Sequence, residues 1–222
     1  LFEAIVKENK INNKDIPVVF SSTCAVYGEP FKIPIQETNP INPINPYGKS
    51  KFFAEQFLND FGKAYGLRSI TFRFFNAAGA DICGDIGEDH DPETHLIPKI
   101  LEKIIKNEND IDIYGGDYQT NDGTCIRDFI HVSDIATAHI KALEYLMNRK
   151  KNIEDTCNNK VFNLGNGKGY SVKDVINNIE KVIGIKLKIN VVERRPYEPP
   201  VLVACTKKIK DYLNWDPKYS EL

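Results

Sequence analysis

Residues 46–76 read PYGKSKFFAEQFLNDFGKAYGLRSITFRFFN. Phe52, Phe53, Phe57, Leu58 and Phe61 recur at helical spacing, so a helix with an apolar stripe is expected from about Pro46 to Tyr65. SITFRFFN, residues 69–76, is expected to be a strand. Upstream, IPVVFSS at 16–22 is β-branched and nearly continuously apolar, the character of a strand buried on both faces of a parallel sheet. Gly28 to Pro46 carries Pro30, Pro34, Pro40, Pro43 and Pro46 and reads as a long loop, a kind of segment that is more often functional than idle. A strand, a long loop, a helix and a second strand make the beginning of an α/β layer.

The same alternation runs outward in both directions. Leu1, Phe2, Ile5 and Val6 share one face of an opening helix, which starts without Met or a capping residue, as a fragment would. After the strand at 69–76 comes a Gly- and Asp-rich loop without periodicity. A helix on Leu96, Ile97, Ile100, Leu101, Ile104 and Ile105 follows, then a short strand at 111–115 and a mixed segment of strand character at 125–132. Ser133 is the expected N-cap of a helix carrying Ile135, Ala136, Ile140, Leu143 and Leu146. Polar residues 148–160 read as a surface connection, VFNLG as a strand, and Ser171 as the cap of a helix buried through Val172, Val175, Ile176, Ile179 and Ile183. LKINVV is a last strand before a short helix near 206–213. Strands alternating with helices predict an α/β sandwich with a mostly parallel sheet, whose strand order the pattern does not fix.

Composition narrows the function classes. The 222 residues carry 41% hydrophobic and 27% charged side chains, and 29 basic against 31 acidic residues leave a net charge of −2. Neither sign dominates a long segment, which argues against broad nucleic-acid or anionic-membrane binding while leaving room for a local anion pocket. The five cysteines, at 24, 83, 125, 157 and 205, are widely separated and contain no C-x-x-C pair. A reducing, cytoplasmic setting is expected, with no metal site. No apolar run has the length of a membrane span.

The chemistry centres on Tyr47 and Lys51, at i and i+4, whose side chains can meet near the helix start. A free tyrosine has a pKa of about 10 and is a poor base at neutral pH. A nearby ammonium and the positive end of a helix both favour the phenolate, which could then take a proton from a sugar or alcohol hydroxyl. Tyr-x-x-x-Lys is also an ordinary helical spacing. FSSTCAVYG sharpens the reading by placing Ser21, Ser22 and Thr23 at the C-terminal end of a strand, where open parallel sheets gather ligands. Thr23 could donate to the oxygen whose proton Tyr47 removes.

SSTCAVYG (21–28), PYGKSK (46–51), FRFFNAAGA (72–80), GEDHDPETHLIP (87–98), DGTCIRDFIHVSDIA (122–136) and FNLGNGKGYS (162–171) resemble successive blocks of the UDP-glucose 4-epimerase (UDP-galactose 4-epimerase) family. That family lies in the extended short-chain dehydrogenase/reductase superfamily. The resemblance covers nearly the whole chain; Tyr-x-x-x-Lys alone identifies only the superfamily. It implies a tightly bound NAD and reversible C4 epimerization of UDP-galactose and UDP-glucose through a 4-keto intermediate. Thr23, Tyr47 and Lys51 match the catalytic set, with Tyr47 as base and Lys51 on the cofactor ribose. Ser21, Ser22 and Phe75 fall at the cofactor, Phe75 beside the nicotinamide. Asn76, His95 and the Leu96 backbone match sugar-nucleotide contacts, Tyr114 the aromatic beside uracil, and Arg127 and Arg195 the diphosphate arginines, whose planar forks suit phosphate oxygens. Asp128 is expected to orient the neighbouring arginine.

The last block departs from the family form R-R-x-G-D-P, reading Arg194-Arg195-Pro196-Tyr197-Glu198-Pro199. Glu198 keeps a carboxylate for ribose hydroxyls, while Tyr197 replaces a flexible glycine and is expected to alter the loop path. Leu202 falls where the family decides whether an N-acetylated sugar fits. The glycine-rich phosphate cradle, which the family places upstream of Leu1, does not occur in the sequence. Residues 1–222 alone are therefore expected to lack activity, and the intact protein to be the enzyme. The expected fold is a truncated Rossmann-like three-layer sandwich with a smaller C-terminal α/β substrate-binding lobe. Residues 1–76 would be the C-terminal part of the NAD-binding domain, and 77–222 mainly the UDP-sugar lobe with segments returning to the first. A homodimer is expected. Two alternatives stay open: another UDP-sugar-modifying enzyme such as a dehydratase or decarboxylase, and a non-catalytic sugar-nucleotide-binding module. The dehydratases follow their catalytic Thr with Asp and Glu, whereas Thr23 precedes Cys24 and Ala25.

Overall fold

The computed structural model describes residues 1–148 and 159–222. Cys157 and most of the connection expected over 148–160 lie outside the described residues, and Asn159 and Lys160 belong to a strand instead. The chain runs through α1 (Phe2–Ile11), β1 (Val18–Thr23), a short 3-10 helix (Cys24–Tyr27), α2 (Pro46–Tyr65), β2 (Ser69–Phe74) and β3 (Asn76–Ala78). It continues through α3 (Leu96–Ile105), β4 (Asp110–Tyr114), β5 (Ile126–His131), α4 (Val132–Asn148), β6 (Asn159–Leu164) and β7 (Gly169–Ser171). α5 (Val172–Ile183), β8 (Lys188–Val192), β9 (Val201–Leu202) and α6 (Lys207–Leu213) complete it.

β1, β2 and β6 form a parallel sheet in that order, with Val19 opposite Ile70 and Phe72 opposite Phe162. Alternation along β1 and β2 divides its two faces. Ile70, Phe72, Phe162 and Leu164 pack with Ala138, Ala142 and Leu146 of α4 and Ile209 and Leu213 of α6. Val18 and Phe20 turn the other way, onto Val6 of α1 and Leu58 and Phe61 of α2. The result is three layers, helix on sheet on helix, as the alternating pattern required.

The strand expected over 69–76 is interrupted. At Phe75 the backbone N–H donates to Leu164 O at 3.0 Å, after which β3 leaves the first sheet and pairs with β5. β5 is the hub of a second sheet, parallel to β3 and β9 and antiparallel to β7. β4 and β8 make a separate parallel pair, covered by Ile100 of α3 and Ile176 of α5. Among the described residues the mostly parallel sheet is thus three sheets, and β3, β7 and β9 are too short for periodicity to signal them.

Two capping expectations divide. Ser171 caps α5 in a capping box with Asp174, as expected. Ser133 does not cap α4: the helix already begins at Val132, and the Ser133 N–H donates to the His131 ring Nδ1 at 3.1 Å. The stripe on α2 also splits. Leu58 is buried, but Phe53 and Phe57 are 64% and 57% exposed, because the sheet takes only one side of the helix. No helix among the described residues is long and apolar enough to cross a membrane.

Candidate functional site

Thr23 ends β1 and caps the 3-10 helix, its Oγ1 accepting the Ala25 N–H at 3.1 Å, which leaves the hydroxyl hydrogen for a partner. Asn45 Oδ1 caps α2 by accepting the Gly48 N–H at 2.7 Å, and Pro46 occupies the first turn, where a missing N–H costs nothing. A Cβ at position 48 would stand 2.6 Å from Ala25 O, so glycine there lets α2 start directly against the 3-10 helix. That close approach sets Tyr47 beside the end of β1. Ser22, Thr23, Tyr47, Phe75, Asn76 and His95 line one cavity of about 560 Å³, where Thr23 is buried and Tyr47 is 55% exposed.

Lys51 shares the Tyr47 face, its ammonium 5.7 Å from the Tyr47 ring centroid and 5.4 Å from that of Phe20. It donates to Ser21 O at 2.9 Å, so Ser21 contributes its backbone carbonyl there. Both residues stand beside the cavity lining rather than in it.

Asn76, His95, Leu96, Tyr114, Arg127, Arg195 and Glu198 line a second cavity of about 630 Å³. It shares Asn76, Ala77, Ala78, Gly79, Glu88 and His95 with the first, and the two make one cleft. The Arg195 guanidinium lies 4.1 Å from the Tyr114 ring centroid, a stacked cation–π contact. Arg127 pairs with Glu198 at 3.1 Å. Tyr197 takes φ +59, a left-handed conformation that favours glycine, at a cost of roughly 1–2 kcal/mol for a residue with a Cβ.

Asp128 does not orient Arg127. It is fully buried, and its carboxylate accepts the backbone N–H groups of Asn166 at 2.6 Å, Gly167 at 2.9 Å and Ala204 at 3.0 Å, tying the β6–β7 turn to the segment after β9. Gly165 makes room, since a Cβ there would stand 2.6 Å from Asp128 Oδ2. Burial pushes this carboxyl up to about 6, against the three N–H donors that favour its charged form. With the folded pKa above the unfolded value, the native state holds the proton more tightly. The group's contribution therefore falls as pH rises from about 4 to about 6, by roughly 3 kcal/mol, and is level above. Asp128→Asn turns an amide donor toward at least one N–H and is expected to lose about 1–3 kcal/mol at neutral pH and to abolish that pH slope. Urea melts of both proteins from pH 4 to 7 check it; an unchanged slope would refute the assignment.

Leu202 is buried with Phe75, Cys24, Val26 and Tyr27, and lines neither cavity. Burial pushes the Cys24 thiol up to about 12, so beside Thr23 it is an inert apolar neighbour. One group near the cleft has no counterpart in the sequence reading. Arg73 donates to Glu55 Oε2 at 2.6 Å and Oε1 at 3.1 Å and to Tyr27 Oη at 2.9 Å, while Ser22 Oγ donates to Glu55 Oε1 at 2.5 Å. Tyr27 Oη passes its hydrogen on to Asn163 Oδ1 at 2.6 Å. The one charge within the apolar run SITFRF was the available signal.

A family model described as GDP-mannose 4,6 dehydratase matches residues 1–221. The chain is 48% identical over 205 residues to a UDP-glucose 4-epimerase of Halalkalibacterium halodurans, covering 92% of this chain and 59% of that one. A UDP-glucose 4-epimerase of Rhizobium meliloti is 45% identical over 201 residues, with 90% and 59% covered. The solved structure of a UDP-glucose 4-epimerase from Brucella ovis in complex with NAD superposes with a TM-score of 0.88 at 40% identity, over 99% of this chain and 65% of that one. The chain therefore spans about three fifths of the length of its curated relatives. The superposition bears out the expected Rossmann-like α/β fold with a smaller C-terminal lobe. Six sequence blocks, the shared cleft and these likenesses agree: the chain belongs to the UDP-glucose 4-epimerase family of the extended short-chain dehydrogenase/reductase superfamily.

Proposed function

We propose that the full-length protein interconverts UDP-galactose and UDP-glucose by inverting the sugar at C4. One observation carries the reading: Thr23, Tyr47 and Asn76 line a cavity that continues into one holding Tyr114, Arg127 and Arg195. A sugar hydroxyl and a nucleoside diphosphate would meet these two ends together. Tyr47 takes the proton of the 4-hydroxyl and returns it, and the Thr23 hydroxyl donates to the same oxygen. Asn76, His95 and the Leu96 backbone hold the sugar. Arg127 and Arg195 neutralise the diphosphate, Tyr114 offers its ring to uracil, and Glu198 accepts from the nucleotide ribose. Leu202 acts on sugar size through the buried cluster it shares with Phe75.

The chain's donor set fits the nicotinamide-ribose end of NAD, which the Brucella ovis relative holds in its crystal. Lys51 spends one N–H on Ser21 O and has two more for a ribose diol, with Ser22, Phe75 and Tyr47 close by. When bound, NAD would supply reversible hydride acceptance at sugar C4, which a 4-keto route requires. Residues 1–76 would belong to the cofactor-binding domain, and 77–222 mainly to the sugar-nucleotide lobe. The exposed Phe53 and Phe57 on α2 support a homodimer, and the unpaired Cys24, Cys83, Cys125 and Cys205 support a cytoplasmic location.

Incubating the full-length protein with UDP-galactose is expected to yield UDP-glucose of unchanged mass. A product lighter by one water would favour the dehydratase reading, to which the family model's description lends weight. Binding of UDP-galactose without any product would favour a non-catalytic module.

A further inference from the structure

The loop before α3 brings together four side chains that neither the sequence reading nor the proposed reaction uses as a set. Glu88, His90, Glu93 and His95 each point one ligand atom inward, and these atoms all lie within 4.8 Å of one another. His95 Nδ1 contacts Glu88 Oε1 and stands 3.3 Å from Glu93 Oε1, and His90 Nδ1 is 3.6 Å from the same oxygen. Glu93 is the fixed member. Its side chain is 4% exposed, and its Oε1 accepts the backbone N–H groups of Thr94 at 2.6 Å and His95 at 2.7 Å. Among the described residues, no lysine or arginine pairs with Glu88 or Glu93. Two carboxylates therefore share a small volume with two imidazoles and no permanent cation.

We propose that this loop is a binding site for a divalent transition metal of the Zn²⁺ class. Two imidazole nitrogens with two carboxylate oxygens suit zinc and its neighbours, whereas Ca²⁺ and Mg²⁺ take all-oxygen shells. Ligand atoms ~2 Å from a tetrahedral zinc stand ~3.3 Å apart, so from at most 4.8 Å the widest pair closes by up to ~1.5 Å, within reach of side-chain rotation in this loop. The metal replaces the proton-dependent contacts among these groups with four bonds. It thereby ties residues 88–95 to the start of α3 at Leu96. Glu88 and His95 line both cavities, so the ion clamps one wall of the cleft in place. No metal site was expected from the sequence.

The test reads metal, not turnover, and so stands apart from the proposed reaction. Full-length protein stripped with a chelator is titrated with Zn²⁺ against a chromophoric indicator, and in parallel with Co²⁺ for its visible spectrum. The wild type is expected to take one Zn²⁺ per chain, with a Co²⁺ spectrum lacking thiolate charge transfer. His90→Ala and Glu93→Gln are expected to weaken uptake at least ~10-fold, the loss seen even for outer-shell changes. His90 is half exposed and lines neither cavity, so its variant should melt with the stripped wild type; that melt separates lost ligation from lost folding. Uptake unchanged in both variants, a thiolate band from the exposed Cys83, or no uptake by the wild type would each overturn the site.

Discussion

Tyr47→Phe in the full-length protein is expected to lower interconversion of UDP-galactose and UDP-glucose by ~10²–10⁴-fold, the range that a positioned acid–base group contributes. The variant is clean because of where the hydroxyl sits. Tyr47 is half exposed at the first turn of α2, and among the described residues its hydroxyl makes no hydrogen bond to the protein. Deleting it should leave the unfolding midpoint within the ~0.5 kcal/mol of an ordinary surface change. Binding should persist, since Tyr114, Arg127 and Arg195 lie in the adjoining cavity. The loss should therefore fall on kcat and spare KM. Thr23→Ala is a poorer probe: Thr23 Oγ1 also caps the 3-10 helix, and losing a cap costs ~1 kcal/mol by itself. Turnover within ~10-fold of wild type in Tyr47→Phe would remove Tyr47 as the base, whatever the fold resemblance.

The elements that could be read from sequence were those whose determinants are local. α2 has Asn45 as its cap, Pro46 in its first turn and a left-handed Gly66 at its end, and its expected limits match the structure. The elements that were missed depend on distant partners. β3 exists because Asn76, Ala77 and Ala78 find Phe129, Ile130 and His131, and nothing in NAA announces that. Ser133 looked like a cap because its type favours caps, but the His131 ring, one residue before the helix, had already taken the N–H. The cleft was legible through block resemblance, which places residues distant in sequence around one ligand. Asp128 was misread as a partner of Arg127, because its actual partners are backbone N–H groups from two remote turns. Side-chain identity names what a residue can do; burial decides which of those things it does.

Glu55→Leu is expected to cost about 3–5 kcal/mol, because it leaves the Arg73 guanidinium buried without its counter-charge. Both side chains of the pair are 6% exposed, so water cannot take over the role. Burial opposes the charge on Arg73, and Glu55 and Tyr27 together outweigh it, raising its pKa above the usual value. The ion pair need not be stabilising overall for this to hold. Desolvating two charges offsets much of their attraction, so Glu55→Leu/Arg73→Met, which removes both, should recover most of the loss. The single and double variants thus separate the worth of the pair from the penalty of breaking it. Urea unfolding of the full-length protein measures both, and a single variant losing under ~1 kcal/mol would mean the pair is solvated. The consequence reaches the cleft. Ser22 Oγ donates to Glu55 Oε1, and Ser22 is the residue before Thr23 on β1. Even where the double variant regains stability, Ser22 has lost its acceptor and the end of β1 its fixed position. Turnover should therefore stay depressed when stability has returned, and full recovery of both would show that the network serves the fold alone.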